Sequence, residues 1–195
     1  MSETHTETHT ETRDAPLDAE QAAMRRVALA QIRQYPDPVL RMRANEVDAF
    51  DDDLRRLAER MVALMRDARG VGLAGNQVGV LRRIVVMQPD EEGESVVIVN
   101  PVIARTGEER ESDEEGCLSL RDVLAPVERS LSVRVEGRGL DGGELSLELE
   151  GLAARVAQHE VDHLDGILIL DRTTKDARKE ALARLRPRPV LEPEH

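Results

Sequence analysis

Apolar residues recur at helical spacing in several separate stretches. The longest is "DDDLRRLAERMVALMRDARG" (51–70), where Leu54, Leu57, Met61, Leu64, Met65 and Ala68 share one stripe. The Asp51–Asp53 run suits the N-terminus of that helix, and Gly70 suits its C-terminal cap. "LAARVAQHEVDHL" (152–164) takes up helical spacing after a strand, and "TKDARKEALARL" (174–185) predicts a last helix that stops before Pro187. "DAEQAAMRRVALA" (18–30) predicts a short first helix. In "QYPDPVLR" (34–41), Pro36 and Pro38 favour extended or turn backbone at the residues before them.

Other stretches follow the period of a strand. "RIVVMQ" (83–88) and "VVIVNPVIA" (96–104) are short, β-branched and apolar throughout, and "PDEEGES" joins them, which predicts a buried hairpin. "LSVRVEG" and "ELSLELE" place Leu131, Val133 and Val135, and then Leu145, Leu147 and Leu149, at every second position. The glycine-rich "GRGLDGG" between them predicts a second hairpin with one face buried and one wet. Strands in hairpins with few helices make an α+β domain.

Composition narrows the class. The chain has 195 residues, about one domain's worth, and its apolar fraction of 40% is enough for a core. Tyr35 and Phe50 are the only aromatics, so aliphatic residues must fill that core. Residues 1–16 repeat Thr, Glu and His without an apolar face and are expected to be a disordered tail, with the folded body over 17–186 and a Pro-rich tail over 187–195. A net charge of −12 argues against general nucleic-acid binding, including specific DNA binding. No apolar run reaches the roughly 20 residues that span a bilayer, and the N-terminus has no hydrophobic signal core, so a cytoplasmic protein is expected. Cys117 is the single cysteine, so no internal disulfide can form.

The candidate chemistry sits in "QHEVDHLDG" (158–166). His5, His9 and His195 lie near the chain ends, which leaves His159 and His163 as the histidines of the folded body. Four residues apart, they project from the same helix face and can grip one metal ion, with Glu160 beside them as a general base. The plain alternative is a polar surface turn. A site that keeps one position open needs a third protein ligand. Ile169 stands where one class of zinc peptidases places a third histidine. Glu180 is the nearest downstream carboxylate, as a second class would require, and Cys117 in "EEGCLSL" is the upstream candidate. Glu115, Arg129 and Asp162 are candidates to support the ligands, or are plain surface charge.

Taken together, "YPDPVLR" (35–41), "GVGLAGNQ" (70–77), "EGCLSL" (115–120) and "QHEVDHLDG" (158–166) resemble the motifs of the peptide deformylase family, in the family's order, over about residues 30 to 172. The resemblance implies one domain of mostly antiparallel strands around a central metal-binding helix. It implies removal of formyl from N-formylmethionyl nascent peptides, with release of formate. Cys117, His159 and His163 would hold one divalent metal, typically Fe2+, with Zn2+, Ni2+ or Co2+ as substitutes. Glu160 would be the acid/base. The Gln77 amide and the Leu118 backbone N–H would stabilise the oxyanion. The backbone at Val71 and Gly72 would pair with the peptide, and Val71, Val156 and His159 would line the methionine pocket.

The alternatives are a two-histidine zinc peptidase that uses Glu180, or a non-catalytic relative. Gly75 replaces the family's usual alanine, Arg121-Asp122 its Pro-Gly, and Leu124 an arginine near the substrate backbone. The basic stretch from Lys175 to Arg188 is a candidate contact to ribosomal RNA.

Overall fold

The structure, a computed structural model, describes residues 17–89 and 93–186. Both expected tails lie outside the described residues, as do His5, His9, Arg188 and His195. Helix α1 (Ala19–Gln31) opens the body, capped by Asp18, whose carboxylate accepts from Gln21 N while the Gln21 side chain accepts from Asp18 N. Helix α2 (Asp52–Asp67) follows. Asp51 caps it by accepting from Leu54 N at 3.0 Å.

The C-terminus of α2 corrects the expectation for Gly70. The left-handed residue is Arg69, with φ of 59°. Arg69 N donates to Arg66 O and Gly70 N donates to Met65 O, which closes a Schellman motif one residue earlier than expected. Gly70 is small for a different reason: a Cβ there would sit 2.7 Å from the Leu118 side chain.

Strands β1 (Gly72–Ala74), β2 (Ile84–Met87), β3 (Val96–Thr106), β6 (Ser132–Arg138) and β7 (Glu144–Glu150) form one antiparallel sheet in the order β1-β2-β3-β6-β7. Both expected hairpins are present, β2 with β3 and β6 with β7. The unbroken apolar run of β2 is explained by cover on both faces. Ile84 and Val86 pack with Leu54, Met61 and Met65 of α2, and Met87 packs with Val156 and Ala157 of helix α3 (Gly151–Leu164). In the β6–β7 hairpin, Val133, Val135 and Leu149 enter the core, while Leu131, Leu145 and Leu147 are half-buried.

A second hairpin sheet, β4 (Arg110–Cys117) and β5 (Leu120–Ser130), was not expected from the pattern. Val123, Ala125 and Val127 alternate inward and join Leu40 and Leu168–Leu170 in a separate core. Helix α3 lies between this hairpin and the main sheet, which makes it the central element. The short helix α4 (Ile169–Arg172) and the C-terminal helix α5 (Lys175–Arg184) close the hairpin side, and Thr174 caps α5. No helix among the described residues is long and apolar enough to cross a membrane.

Candidate metal centre and peptide cleft

Helix α3 presents His159 and His163 one turn apart, with ring centroids 4.9 Å apart. Cys117, at the end of β4, brings Sγ to 3.2 Å from His163 Nε2. The ligand atoms of Cys117, His159 and His163 all lie within 4.8 Å of one another. Ligands bound at 2.0–2.3 Å in a tetrahedral set stand roughly 3.6 Å apart, so a small contraction suffices to hold one ion. A thiolate with two imidazoles suits zinc, iron, nickel or cobalt rather than a hard cation such as magnesium. Glu180 is exposed on α5 and is not part of this cluster.

A buried charge network sets the orientation of the first histidine. His159 Nδ1 faces Glu115 Oε2 at 3.0 Å, which directs Nε2 toward the cluster. Arg129 grips Glu115 through Nε and Nη2 at 2.9 and 3.1 Å, and its Nη1 reaches Asp162 at 2.5 Å. Arg155 adds a bond to Glu115 Oε1 at 2.9 Å and donates to the carbonyls of Val127 and Glu111. Arg172 holds both oxygens of Asp162. Burial alone would raise the Glu115 carboxyl, but hydrogen bonds from His159 and Arg129 bring it down to about 2. Glu115, Arg129 and Asp162 are therefore buried supports rather than surface charge. Arg155 was missed in the sequence; the one hint is that it stands alone as a charge within the apolar "LAARVA".

Burial drives His163 well below the usual imidazole range, toward the neutral form that ligates a metal. Asn76 donates its side-chain amide to the His163 carbonyl.

Glu160, the next residue along α3, makes no hydrogen bond to that network among the described residues. It is 3% exposed, and its Oε2 has no hydrogen-bond partner. Burial pushes its carboxyl up to about 7. The glycine at 72 exists for this side chain, because a Cβ there would lie 2.4 Å from Glu160 Oε1. Gly75 likewise makes room for the Arg82 carbonyl, 2.5 Å from where a Cβ would stand.

Gln77, in the turn Gly75–Val78, is fixed at both ends. Its Oε1 accepts from Ala74 N at 2.8 Å. Its Nε2 donates to Ser119 Oγ at 3.1 Å and points at Cys117 Sγ, 3.8 Å away. Leu118 occupies the turn between β4 and β5, and its carbonyl accepts from Gln34 at 2.9 Å.

The cluster opens into a cleft of about 570 Å³ whose lining includes Val71, Gly72, Gln77, Leu118, Val156 and Glu160. One wall is β1, the edge strand of the main sheet. An edge strand offers unpaired backbone groups to an extended peptide. The departures also lie here. Leu124 is 60% exposed at the cleft, and Asp122 has φ of 59°, a conformation that glycine adopts more readily.

A Cys/His/His donor set and a buried carboxylate, beside a sheet edge and opening on a peptide-sized cleft, suit metal-assisted hydrolysis of a peptide-like amide. The sequence profile of the polypeptide deformylase family matches residues 29–179. A peptide deformylase of Desulforudis audaxviator is 46% identical over 148 residues, covering 76% of this chain and 96% of that one. The crystal structure of a Thermotoga maritima peptide deformylase superposes with a TM-score of 0.71 at 45% identity, covering 73% of this chain and 96% of that one. A Synechococcus elongatus peptide deformylase, crystallised in complex with actinonin, gives a TM-score of 0.75 at 38% identity over 78% of this chain and 85% of that one. The chain belongs to the polypeptide deformylase family, metal-dependent enzymes that remove the N-formyl group from new polypeptides.

Proposed function

We propose that Cys117, His159 and His163 hold one divalent metal, in vivo Fe2+, and that Glu160 moves the protons of formamide hydrolysis. The observation that carries this reading is the convergence of three ligand atoms within 4.8 Å next to a buried carboxylate oxygen with no partner. When bound, the metal makes water acidic near neutral pH and polarises an amide carbonyl. Glu160 takes a proton from the attacking water as the water oxygen bonds to the formyl carbon. It then gives that proton to the methionine nitrogen as the C–N bond breaks, leaving formate and a free amine. A carboxyl held near 7 by burial suits both transfers.

Gln77 Nε2, aimed at the cluster, and the Leu118 N–H supply hydrogen bonds to the developing oxyanion, each worth about 3 kcal/mol by comparison with other oxyanion holes. Val71 and Gly72 pair the peptide to the sheet edge, and Val71, Val156 and His159 take the methionine side chain. The zinc-peptidase reading lacks its ligand, because Glu180 is outside the cluster. The non-catalytic reading is disfavoured by the presence of both Glu160, buried at the cluster, and Gln77, whose amide is held toward it.

The protein acts in the cytoplasm on emerging chains. α5 exposes Lys175, Arg178 and Lys179 for contact with ribosomal RNA, a role that loss of ribosome co-sedimentation on reversing these charges would test. The enzymatic test is formate release from a formyl-Met peptide by protein purified without oxygen. Iron-loaded protein should lose activity in air faster than nickel-loaded protein, since thiolate-held iron is open to oxidation. Equal lifetimes would contradict the iron assignment.

A further inference from the structure

The chain carries a net charge of −12, yet the rim of its cleft is cationic. Arg25 from α1, Arg69 from the α2–β1 turn, Arg121 from the β4–β5 hairpin and Arg184 from α5 all line it, against two rim carboxylates, Glu114 and Asp122. Four arginines from four separate elements face one opening, while acidic side chains predominate over the chain as a whole. Arg25, Arg121 and Arg184 are exposed, and none of the three has an ion-pair partner among the described residues. Arg25 uses only its Nε, toward the Ala68 carbonyl at 3.3 Å. Cations without partners at the lip of a substrate cleft favour anionic ligands and speed their capture.

A peptide paired to β1 advances about 3.3 Å per residue. Its methionine enters the cleft and its following residues cross the rim. Its own N-terminus is formylated and uncharged, so the charges the rim meets are those of the side chains that follow.

We infer that Arg25, Arg121 and Arg184 make the enzyme select formyl-Met peptides with acidic side chains in the residues after methionine. This rests on the deformylase reading of the cleft and adds the preferred substrate class. Exposed ion pairs are individually weak. A rim of several such pairs raises kcat/KM for an acidic over a basic peptide by roughly three- to thirtyfold at low salt, and the advantage disappears near about 1 M salt, where the screening length is about 3 Å.

The test compares formate release from formyl-Met-Ala-Asp-Glu, formyl-Met-Ala-Ser-Ser and formyl-Met-Ala-Lys-Lys by the metal-loaded wild type and by the Arg121→Glu/Arg184→Glu variant. The readout is the acidic-to-basic ratio of kcat/KM within each preparation, which does not depend on the fraction of folded or loaded enzyme. The ratio should exceed unity in the wild type, act through KM, and fall below unity in the variant. An Arg82→Glu/Arg105→Glu variant carries the same net charge change at exposed positions outside the cleft and should keep the wild-type ratio. A wild-type ratio at or below unity, or equal ratios in the two variants, overturns the inference. So does a variant that loses ribosome binding while its peptide ratio is unchanged, which would assign the arginines to RNA. Absence of formate release even from the Ser-Ser peptide would instead overturn the deformylase reading itself.

Discussion

Helix α3 and the β4–β5 hairpin each contribute to the cluster of Cys117, His159 and His163 proposed to hold the metal, and they do so in opposite ways. In α3 the spacing does the work. Four residues is one turn, so His159 and His163 share a face wherever the helix forms, and the apolar residues around them pack it between two sheets. The hairpin brings Cys117 through tertiary pairing alone. β4 has almost no apolar side chains, and Glu115 is its one buried residue. Its position depends on the ladder to β5 and on the arginines that neutralise Glu115. One half of the site is therefore encoded locally. The other half depends on a buried charge network that must assemble as a unit.

This contrast predicts where the site breaks most easily. Cys117→Ala, His159→Ala and His163→Ala should each remove most of the bound metal and with it the activity, because a three-ligand site loses affinity steeply when one ligand goes. Glu180→Ala should keep full metal content. Metal analysis of the purified variants decides the matter, and metal retained by Cys117→Ala but lost from Glu180→Ala would reverse the assignment.

Gly72→Ala tests whether the β1 edge is shaped around Glu160. A Cβ would stand 2.4 Å from Oε1, so the carboxylate must move. The turnover number should fall by about 100-fold, the scale of an ångström-sized misplacement, while metal content is retained. An unchanged rate would show that the tight contact is irrelevant.

Glu115→Gln probes the hairpin half. It removes one charge from a buried network, and measured losses for broken buried pairs are about 3–5 kcal/mol. Metal affinity should weaken by roughly 10–100-fold through loss of the His159 support. The same carboxylate gives a pH signature. Its folded pKa of about 2 lies below the unfolded value, so it stabilises the fold fully above about pH 4.5, and that contribution is lost as the pH falls toward 2. The wild type should lose stability through this window more steeply than Glu115→Gln, as read by urea unfolding at several pH values. Parallel pH profiles would contradict the network's role.

The smallest effect is expected at the hairpin tip. Asp122→Gly relieves a left-handed residue and should raise stability by roughly 0.5 kcal/mol. A loss of stability would mean that the Asp122 side chain is doing something the backbone geometry does not reveal.

The two halves were also unequally legible. The α2 stripe, both hairpins of the main sheet and the two-histidine helix follow from periodicity, because each buries a continuous face of its own. β4 and β5 escaped. β4 has no alternation, and in "VLAPV" the outward Leu124 and Pro126 disguise the inward Val123, Ala125 and Val127. Cys117 was a candidate third ligand from the residues alone, with Glu180 left open beside it; the motif resemblance favoured Cys117, and no periodicity places it against α3. Arg155 reads as a solvated helix residue until its three acceptors, two of them carbonyls in the hairpin, are seen. Gly70 and Gly72 were recognisable as special, but the side chains that demand them lie 48 and 88 residues away, at Leu118 and Glu160.

The central claim is that Glu160 moves the protons without holding the metal. The Glu160→Gln variant tests it, with metal content, peptide affinity and formate release measured on one preparation. Metal and peptide binding should persist, and turnover should fall by at least about 10⁴-fold, the upper end for general acid–base catalysis, since one residue serves both transfers. A folded, metal-loaded, peptide-binding Glu160→Gln protein within about tenfold of the wild-type rate would contradict the account.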